Sequence, residues 1–234
     1  MKAVILAGGK GTRLLPYTTV IPKPLMPIGE KAILEVVIAQ LKHAGIKDIT
    51  LAVGYLAELI MAYFGNGSKH GVNIDYSREE KPLGTSGPLG KVKGLSDTFL
   101  VMNGDILTTL PYKELIAFHK KNKATVTIAV HKRDVNINFG VIGVDGSGKV
   151  TSYTEKPTHE YHVSMGINVM EPKVLDIIKE HEYLDFPELV KILIGKKEKV
   201  MAYVTDAYWL DIGRPDDYQK AIDEFQKMQS SFLP

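Results

Sequence analysis

Apolar residues along this chain alternate between short unbroken runs and longer stretches at helical spacing. Residues 3–7 (AVILA) are apolar without alternation, the pattern of a strand buried on both faces, and 4–7 are read as that strand. Residues 32–44 place apolar positions three and four apart, which predicts a helix ended by Gly45. The rhythm continues with a strand at 49–53, a helix at 56–64, a strand at 72–76, a short helix at 85–92 and a strand at 99–102. A helix at 112–121 and a strand at 125–130 follow. This βαβαβ order argues for a parallel sheet with right-handed crossovers. The second half is less regular. Runs at 139–144 and 150–154 flank Asp145-Gly146-Ser147-Gly148, a hairpin turn signal. Strands are expected at 163–169 and 200–204, and helices at 172–178, 186–194 and 218–228. Without a linker, repeat or low-complexity tract, residues 1–234 read as one domain. The more regular first half covers about 1–130 and the second about 131–234.

Composition narrows the function classes. The chain has 234 residues, 44% hydrophobic and 24% charged, an ordinary globular balance. Its 29 basic and 27 acidic residues leave a formal charge of +2, which gives no field for nucleic acid or an anionic membrane. The absence of cysteine excludes disulfides, thiolate catalysis and cysteine-ligated zinc. The first apolar run is too short for a signal-peptide core and no run is long enough to span a membrane. A cytoplasmic protein is expected, and a homo-oligomer is compatible with the sequence.

Candidate chemistry concentrates near the start. The first strand runs into Gly8-Gly9-Lys10-Gly11-Thr12-Arg13, and ten residues later Lys23 stands between Pro22 and Pro24. A Walker loop needs Ser or Thr after its lysine, and Lys10 is followed by Gly11. A dinucleotide turn counted from Gly9 and Gly11 needs a third glycine where Leu14 stands. A glycine-rich anion cradle remains: backbone N–H groups can approach a phosphate, Arg13 can bridge two of its oxygens, and Lys23 supplies a point charge. Ligands of open α/β sheets bind at the carboxyl ends of strands, so this loop and Asp105, after the strand at 99–102, should share a rim. The seven histidines show no metal spacing and read as surface or packing residues.

The stretch LAGGKGTRLLPYTTVIPKPLMP resembles the signature of the sugar-1-phosphate nucleotidyltransferases, or nucleotide-sugar pyrophosphorylases. The resemblance continues in KPLGTSGPLG (81–90), NGD (103–105), EKP (155–157), SMGINV (164–169) and YWLDIGRPDDY (208–218). It implies a Rossmann-like nucleotidyltransferase fold with a mixed, mostly parallel central sheet flanked by helices. It further implies Mg²⁺ dependence, a nucleoside triphosphate and a sugar-1-phosphate as ligands, and release of pyrophosphate. By the same resemblance Arg13 and Lys23 are catalytic and Asp105 and Asp211 hold the metal. Leu6, Ala7, Gly8, Gly9, Gly11, Thr12, Glu79, Gly84 and Thr85 bind the nucleotide. Gly140, Glu155, Lys156, Gly166, Asn168 and Trp209 face the sugar phosphate. Larger members of the family carry a C-terminal β-helix, which is not expected here.

The base end leans towards guanine. Its Watson–Crick edge offers two adjacent donors that one carboxylate, Glu79, can accept, whereas uracil or thymine suits an amide. The segment Glu79-Glu80-Lys81-Pro82-Leu83-Gly84-Thr85 is closer to the guanylyltransferases for mannose-1-phosphate, although some small uridylyltransferases also carry glutamate here. Two rivals stand beside this reading. A glycosyltransferase would usually carry Asp-x-Asp where Asn103-Gly104-Asp105 stands, and a non-catalytic relative need not keep Arg13, Lys23, Asp105, Lys156 and Asp211 together.

Overall fold

The computed structural model describes residues 1–233. The first apolar run becomes β1 (Lys2–Ala7), near the middle of a seven-stranded sheet. The remaining strands of that sheet, in chain order, are β2 (Asp48–Val53), β3 (Asn73–Arg78), β4 (Phe99–Asn103), β5 (Val126–Asn136), β6 (Thr158–Met170) and β7 (Val200–Thr205). Across the sheet the order is β7-β5-β6-β4-β1-β2-β3. β1 pairs in parallel with β2 and β4, β2 with β3, and β5 with β7. β6 runs antiparallel to both its neighbours, β4 and β5.

The unbroken apolar character of β1 follows from its place. Ala3, Ile5 and Ala7 face one buried cluster and Val4 faces another, so neither face has room for a polar residue. Helices α1 (Ile33–His43), α2 (Ala57–Phe64) and α3 (Tyr112–Asn122) cover the first face through Leu34, Val37, Leu41, Ile60, Phe64 and Leu115. The second face is covered by Leu89, Val92, Val174 and Ile178, and by α4 (Phe186–Gly195) through Leu189 and Leu193. A third cluster joins Leu14, Met26, Ile28 and Ile212 to Phe225 of α5 (Pro215–Lys227). No helix among the described residues is long and apolar enough to cross a membrane.

The structure departs from the sequence reading where pattern is weak. The helices expected at 85–92 and 172–178 are short 3₁₀ turns, Gly87–Lys91 and Pro172–Asp176, each with a proline at its start. β5 and β6 extend well past the predicted 125–130 and 163–169. Residues 131–136 and 158–163 pair with each other beyond the body of the sheet, from His131 opposite Val163 to Asn136 opposite Thr158. The predicted hairpin forms between Val141–Val144 and Val150–Thr154, with Gly148 N–H donating to Asp145 O. Together these ladders make an exposed arm, and Phe139, in the stretch between the two ladders, is 77% exposed. The last long helix begins earlier than expected, at Pro215, because Asp217 accepts the Arg214 N–H at 2.9 Å and caps the first turn.

One topological fact positions the site. The chain steps from β1 to β2 to β3 on one side, then crosses to β4 on the other side of β1. The loops leaving β1 and β4 therefore diverge, and a crevice opens at their carboxyl ends.

Candidate active site

The loop after β1 is shaped by close backbone approaches. Gly8 O accepts the Tyr55 N–H at 3.1 Å, and a Cβ placed on Gly8 would come within 2.7 Å of Glu79 Oε1 and 3.3 Å of Gly54 N. Only glycine lets the loops after β1, β2 and β3 crowd together there. Farther along, Gly11 O accepts the Leu14 N–H at 2.9 Å and the Thr18 hydroxyl at 2.8 Å, which fixes the turn carrying Thr12 and Arg13. The 3₁₀ turn Lys23–Leu25, with Pro22 before it and Pro24 within it, brings Lys23 back beneath this loop. Lys23 is only 8% exposed, and its ammonium is paired with Asp105 Oδ2.

Asp105 and Asp211 are brought together by a short ladder that lies outside the main sheet. Ile106–Thr108 pairs antiparallel with Trp209–Asp211, placing Asp211 opposite Ile106, and Ile212 N–H donates to Asp105 O at 3.2 Å. Burial first, then the neighbouring Asp105 charge, pushes the Asp211 carboxyl above its ordinary value, while Lys23 and Arg13 pull it down. Arg13 flanks the same spot, since a Cβ on Gly213 would meet its Nη1 at 3.4 Å. Asp105 Oδ1 is buried without a hydrogen-bond partner. A buried carboxylate oxygen left free beside a second carboxylate is a fit for a hard cation, which takes one or two carboxylates and completes its shell with phosphates and water. No group of three or more His, Asp or Glu able to hold a metal occurs among the described residues, so the other ligands of a cation here would have to be of that kind.

Two chambers open from this point. The larger, about 970 Å³, is lined by Gly8, Gly9 and Lys10, by Gly54 and Tyr55, by residues 78–85, and by Asn103, Asp105 and Tyr183. The smaller, about 270 Å³, is lined by Ser164, Met165, Gly166, Asn168, Trp209 and Asp211, with Phe186 and Pro187. Leu6, Thr85 and Asn103 belong to both, so the chambers share a wall with Asp105 on one side and Asp211 on the other.

Glu79 lies in the lining of the larger chamber, packed against the Gly8 turn. Its Oε2 accepts the Leu83 N–H at 3.1 Å; burial raises its pKa, against the Leu83 N–H and the Lys91 charge. In the smaller chamber Asn168 is almost wholly buried with its Oδ1 unpartnered, and Trp209 Nε1 donates to Met165 O at 3.0 Å. The β6 bulge between Ser164 and Asn168 sets Gly166 against the Asn103 side chain.

Of the residues named from sequence, Leu6, Gly8, Gly9, Glu79, Gly84, Thr85, Asp105, Gly166, Asn168, Trp209 and Asp211 line one chamber or both. Ala7, Gly11, Thr12, Arg13 and Lys23 stand beside or behind the wall. Gly140, Glu155 and Lys156 line neither. They lie on the exposed arm, where Tyr153 OH donates to Glu155 Oε2 at 3.0 Å and Lys156 has a left-handed backbone, φ 46°. Sequence reasoning missed Tyr55 and Tyr183 in the larger chamber. Tyr183 arrives from about 100 residues away, and no local pattern marks it.

The family model described as nucleotidyl transferase matches residues 2–228. The chain is 37% identical to a mannose-1-phosphate guanyltransferase of Yarrowia lipolytica, over 93% of its own length and 62% of the relative's. It is 35% identical to a UTP–glucose-1-phosphate uridylyltransferase of Synechocystis, over 95% of its length and again 62% of the relative's. The chain thus spans less than two thirds of the length of these curated relatives. Among solved structures, HddC from Yersinia pseudotuberculosis complexed with GMP-PN superposes with a TM-score of 0.73 at 29% identity, covering 96% of this chain and 99% of that one.

Proposed function

Because the chain belongs to the nucleotidyl transferase family, we propose that it transfers a nucleoside monophosphate from a nucleoside triphosphate to a sugar-1-phosphate, giving a nucleoside-diphosphate sugar and pyrophosphate. The observation that carries this reading is the shared wall, with one aspartate facing each chamber and two cations beside them. A triphosphate in the larger chamber and a phosphorylated sugar in the smaller would meet at that wall.

The reaction in this reading is one in-line displacement. An oxygen of the sugar phosphate attacks the α-phosphorus, the bond from that phosphorus to the oxygen bridging to the β-phosphate breaks, and pyrophosphate leaves with the bonding pair. The attacking oxygen is already anionic near neutral pH, so no protein base is needed. The protein's task is to align two anions and neutralise them. Gly8 and Gly9 give the phosphates a close backbone approach. Arg13 offsets charge on the β- and γ-phosphates and on the leaving pyrophosphate. Lys23, already held by Asp105, lowers the repulsion between the reactants. Asp105 and Asp211 would hold Mg²⁺, and the chemistry that ion supplies when bound is charge neutralisation at phosphate oxygens. Asn168, Gly166 and Trp209 form the sugar side, and Glu155 and Lys156, which line neither chamber, would have to be drawn in from the arm by a bound sugar phosphate. The cytoplasm is the compartment proposed for this reaction.

GTP and mannose-1-phosphate are the favoured pair, supported by the Glu79 carboxylate in the chamber lining and by the guanyltransferase relative. The uridylyltransferase relative supports the second reading, a uridylyl- or thymidylyltransferase for glucose-1-phosphate. Pyrophosphate release from four nucleoside triphosphates against mannose-, glucose- and heptose-1-phosphate with Mg²⁺ separates them. Fastest turnover with GTP and a mannose-type acceptor is expected. Fastest turnover with UTP or dTTP replaces guanine by a pyrimidine, and no release from any pair overturns the reading.

A further inference from the structure

The segment 182–186 interlocks with the loop 83–87 and brings Tyr183 into the lining of the larger chamber. Leu184 N–H donates to Leu83 O at 2.9 Å, and Leu184 O accepts the N–H groups of Ser86 at 2.8 Å and Gly87 at 3.0 Å. Asp185 Oδ1 accepts the Thr85 N–H at 3.1 Å and the Thr85 hydroxyl at 3.3 Å, and Thr85 Oγ1 accepts the Phe186 N–H at 2.7 Å. The fit is close: a Cβ on Gly84, whose φ is +79°, would lie 2.6 Å from Leu184 O.

This clamp holds one aromatic ring in the chamber. Tyr183 lines the cavity and is 64% exposed, yet its hydroxyl donates to Asp185 Oδ2 at 2.5 Å. The carboxylate that fixes the Gly84–Thr85 turn therefore also fixes the ring. An exposed aromatic pinned at its polar tip presents an apolar face that has already lost part of its rotamer freedom. With the phosphates taken to lie along Gly8, Gly9 and Asp105, the part of the lining left for the nucleoside includes residues 80–85 and this ring. Tyr55 is the other aromatic residue of the lining, and its hydroxyl is engaged with Thr19 O at 3.0 Å.

Building on the reading of the chamber as a nucleoside triphosphate site, we propose that Tyr183 is a base-binding residue that stacks on the nucleobase, and that Asp185 is the positioning residue that holds it. The ring then adds affinity for the base without touching the phosphates or the acceptor. Stacking accepts any base, so Tyr183 sets nucleotide affinity while the Glu79 carboxylate sets which base is taken.

The test is equilibrium binding of GTP, UTP and inorganic tripolyphosphate by calorimetry with Mg²⁺, in the wild type, Tyr183→Ala and Tyr183→Phe. Tyr183→Ala should weaken both nucleotides about 10-fold, the effect of losing one stacked ring, and leave tripolyphosphate unchanged. Tyr183→Phe keeps the ring and should bind nucleotide much closer to wild type than Tyr183→Ala. In turnover the KM for the triphosphate should rise while the KM for the sugar phosphate holds. A wild-type chain that binds no triphosphate overturns the reading of the chamber and the ring with it. Full nucleotide affinity in Tyr183→Ala, or equal weakening of nucleotide and tripolyphosphate, overturns the ring alone.

Discussion

The two sides of the cleft are built from different material. On the side proposed for the nucleotide the site grows out of a parallel sheet buried on both faces. The loops after β1, β2, β3 and β4 are crossed by backbone hydrogen bonds and held by Lys23, itself buried and paired. Of the residues proposed for the acceptor side, Asn168, Gly166 and Trp209 belong to the body, whereas Gly140, Glu155 and Lys156 sit on an arm exposed on both faces. The contrast teaches that the proposed phosphate cradle is set by the fold itself. The arm is free of the constraints that a packed core imposes, and groups placed there can be moved or exchanged without disturbing the cradle.

Substitutions sharpen this contrast, beginning with the largest effect. Truncating a core residue of the body should be the most damaging. Ile5→Ala removes a fully buried side chain from β1 and should cost about 3 kcal/mol of stability in urea unfolding. Val144→Ala on the arm, 59% exposed, should cost less than about 0.5 kcal/mol in the same experiment. Equal costs would mean that the arm is as integral to the core as β1. Next, Arg13→Ala should lower kcat about 100-fold, the scale of losing one charge-stabilising group, with little change in the KM for triphosphate. Near-wild-type turnover would remove Arg13 from the chemistry. The smallest effect is expected on the arm's proposed contact. Lys156→Ala should raise the KM for the sugar phosphate about 10-fold, the loss of one charge-assisted hydrogen bond, and leave triphosphate binding intact. An unchanged KM would leave the acceptor side to the body alone.

What the sequence made legible follows the same division. β1, α1 and the glycine loop were readable because each is specified by neighbours in sequence: the unbroken apolar run, the helical spacing before Gly45, and glycines set together with Arg13 and Lys23. The shared rim of the Gly8 loop and Asp105 was also readable, since both follow buried strands. The meeting of Asp105 with Asp211 was not, because it depends on pairing Ile106–Thr108 with Trp209–Asp211 across about 100 residues. The outer lengths of β5 and β6 were missed for another reason. Residues 131–136 and 158–163 are largely polar and exposed, so no burial pattern marks them as strands, and only their pairing with each other makes them so. Tyr183 escaped because its place in the chamber is fixed by the hydrogen bonds that its neighbours Leu184 and Asp185 make to the distant loop 83–87, an arrangement with no signature of its own.

The arm has a consequence for how such a chain can change over generations. Most substitutions destabilise, and a protein tolerates only as many as its margin above the folding threshold permits. Changes among the exposed residues of 131–163 draw little on that margin, while changes at Ile5, Val4 or Leu100 exhaust it quickly. New side chains can therefore be tried beside the acceptor chamber at nearly constant stability, while the phosphate cradle stays fixed by the needs of the sheet. Selection acting on such a molecule can revise what it accepts far more readily than how it holds a phosphate.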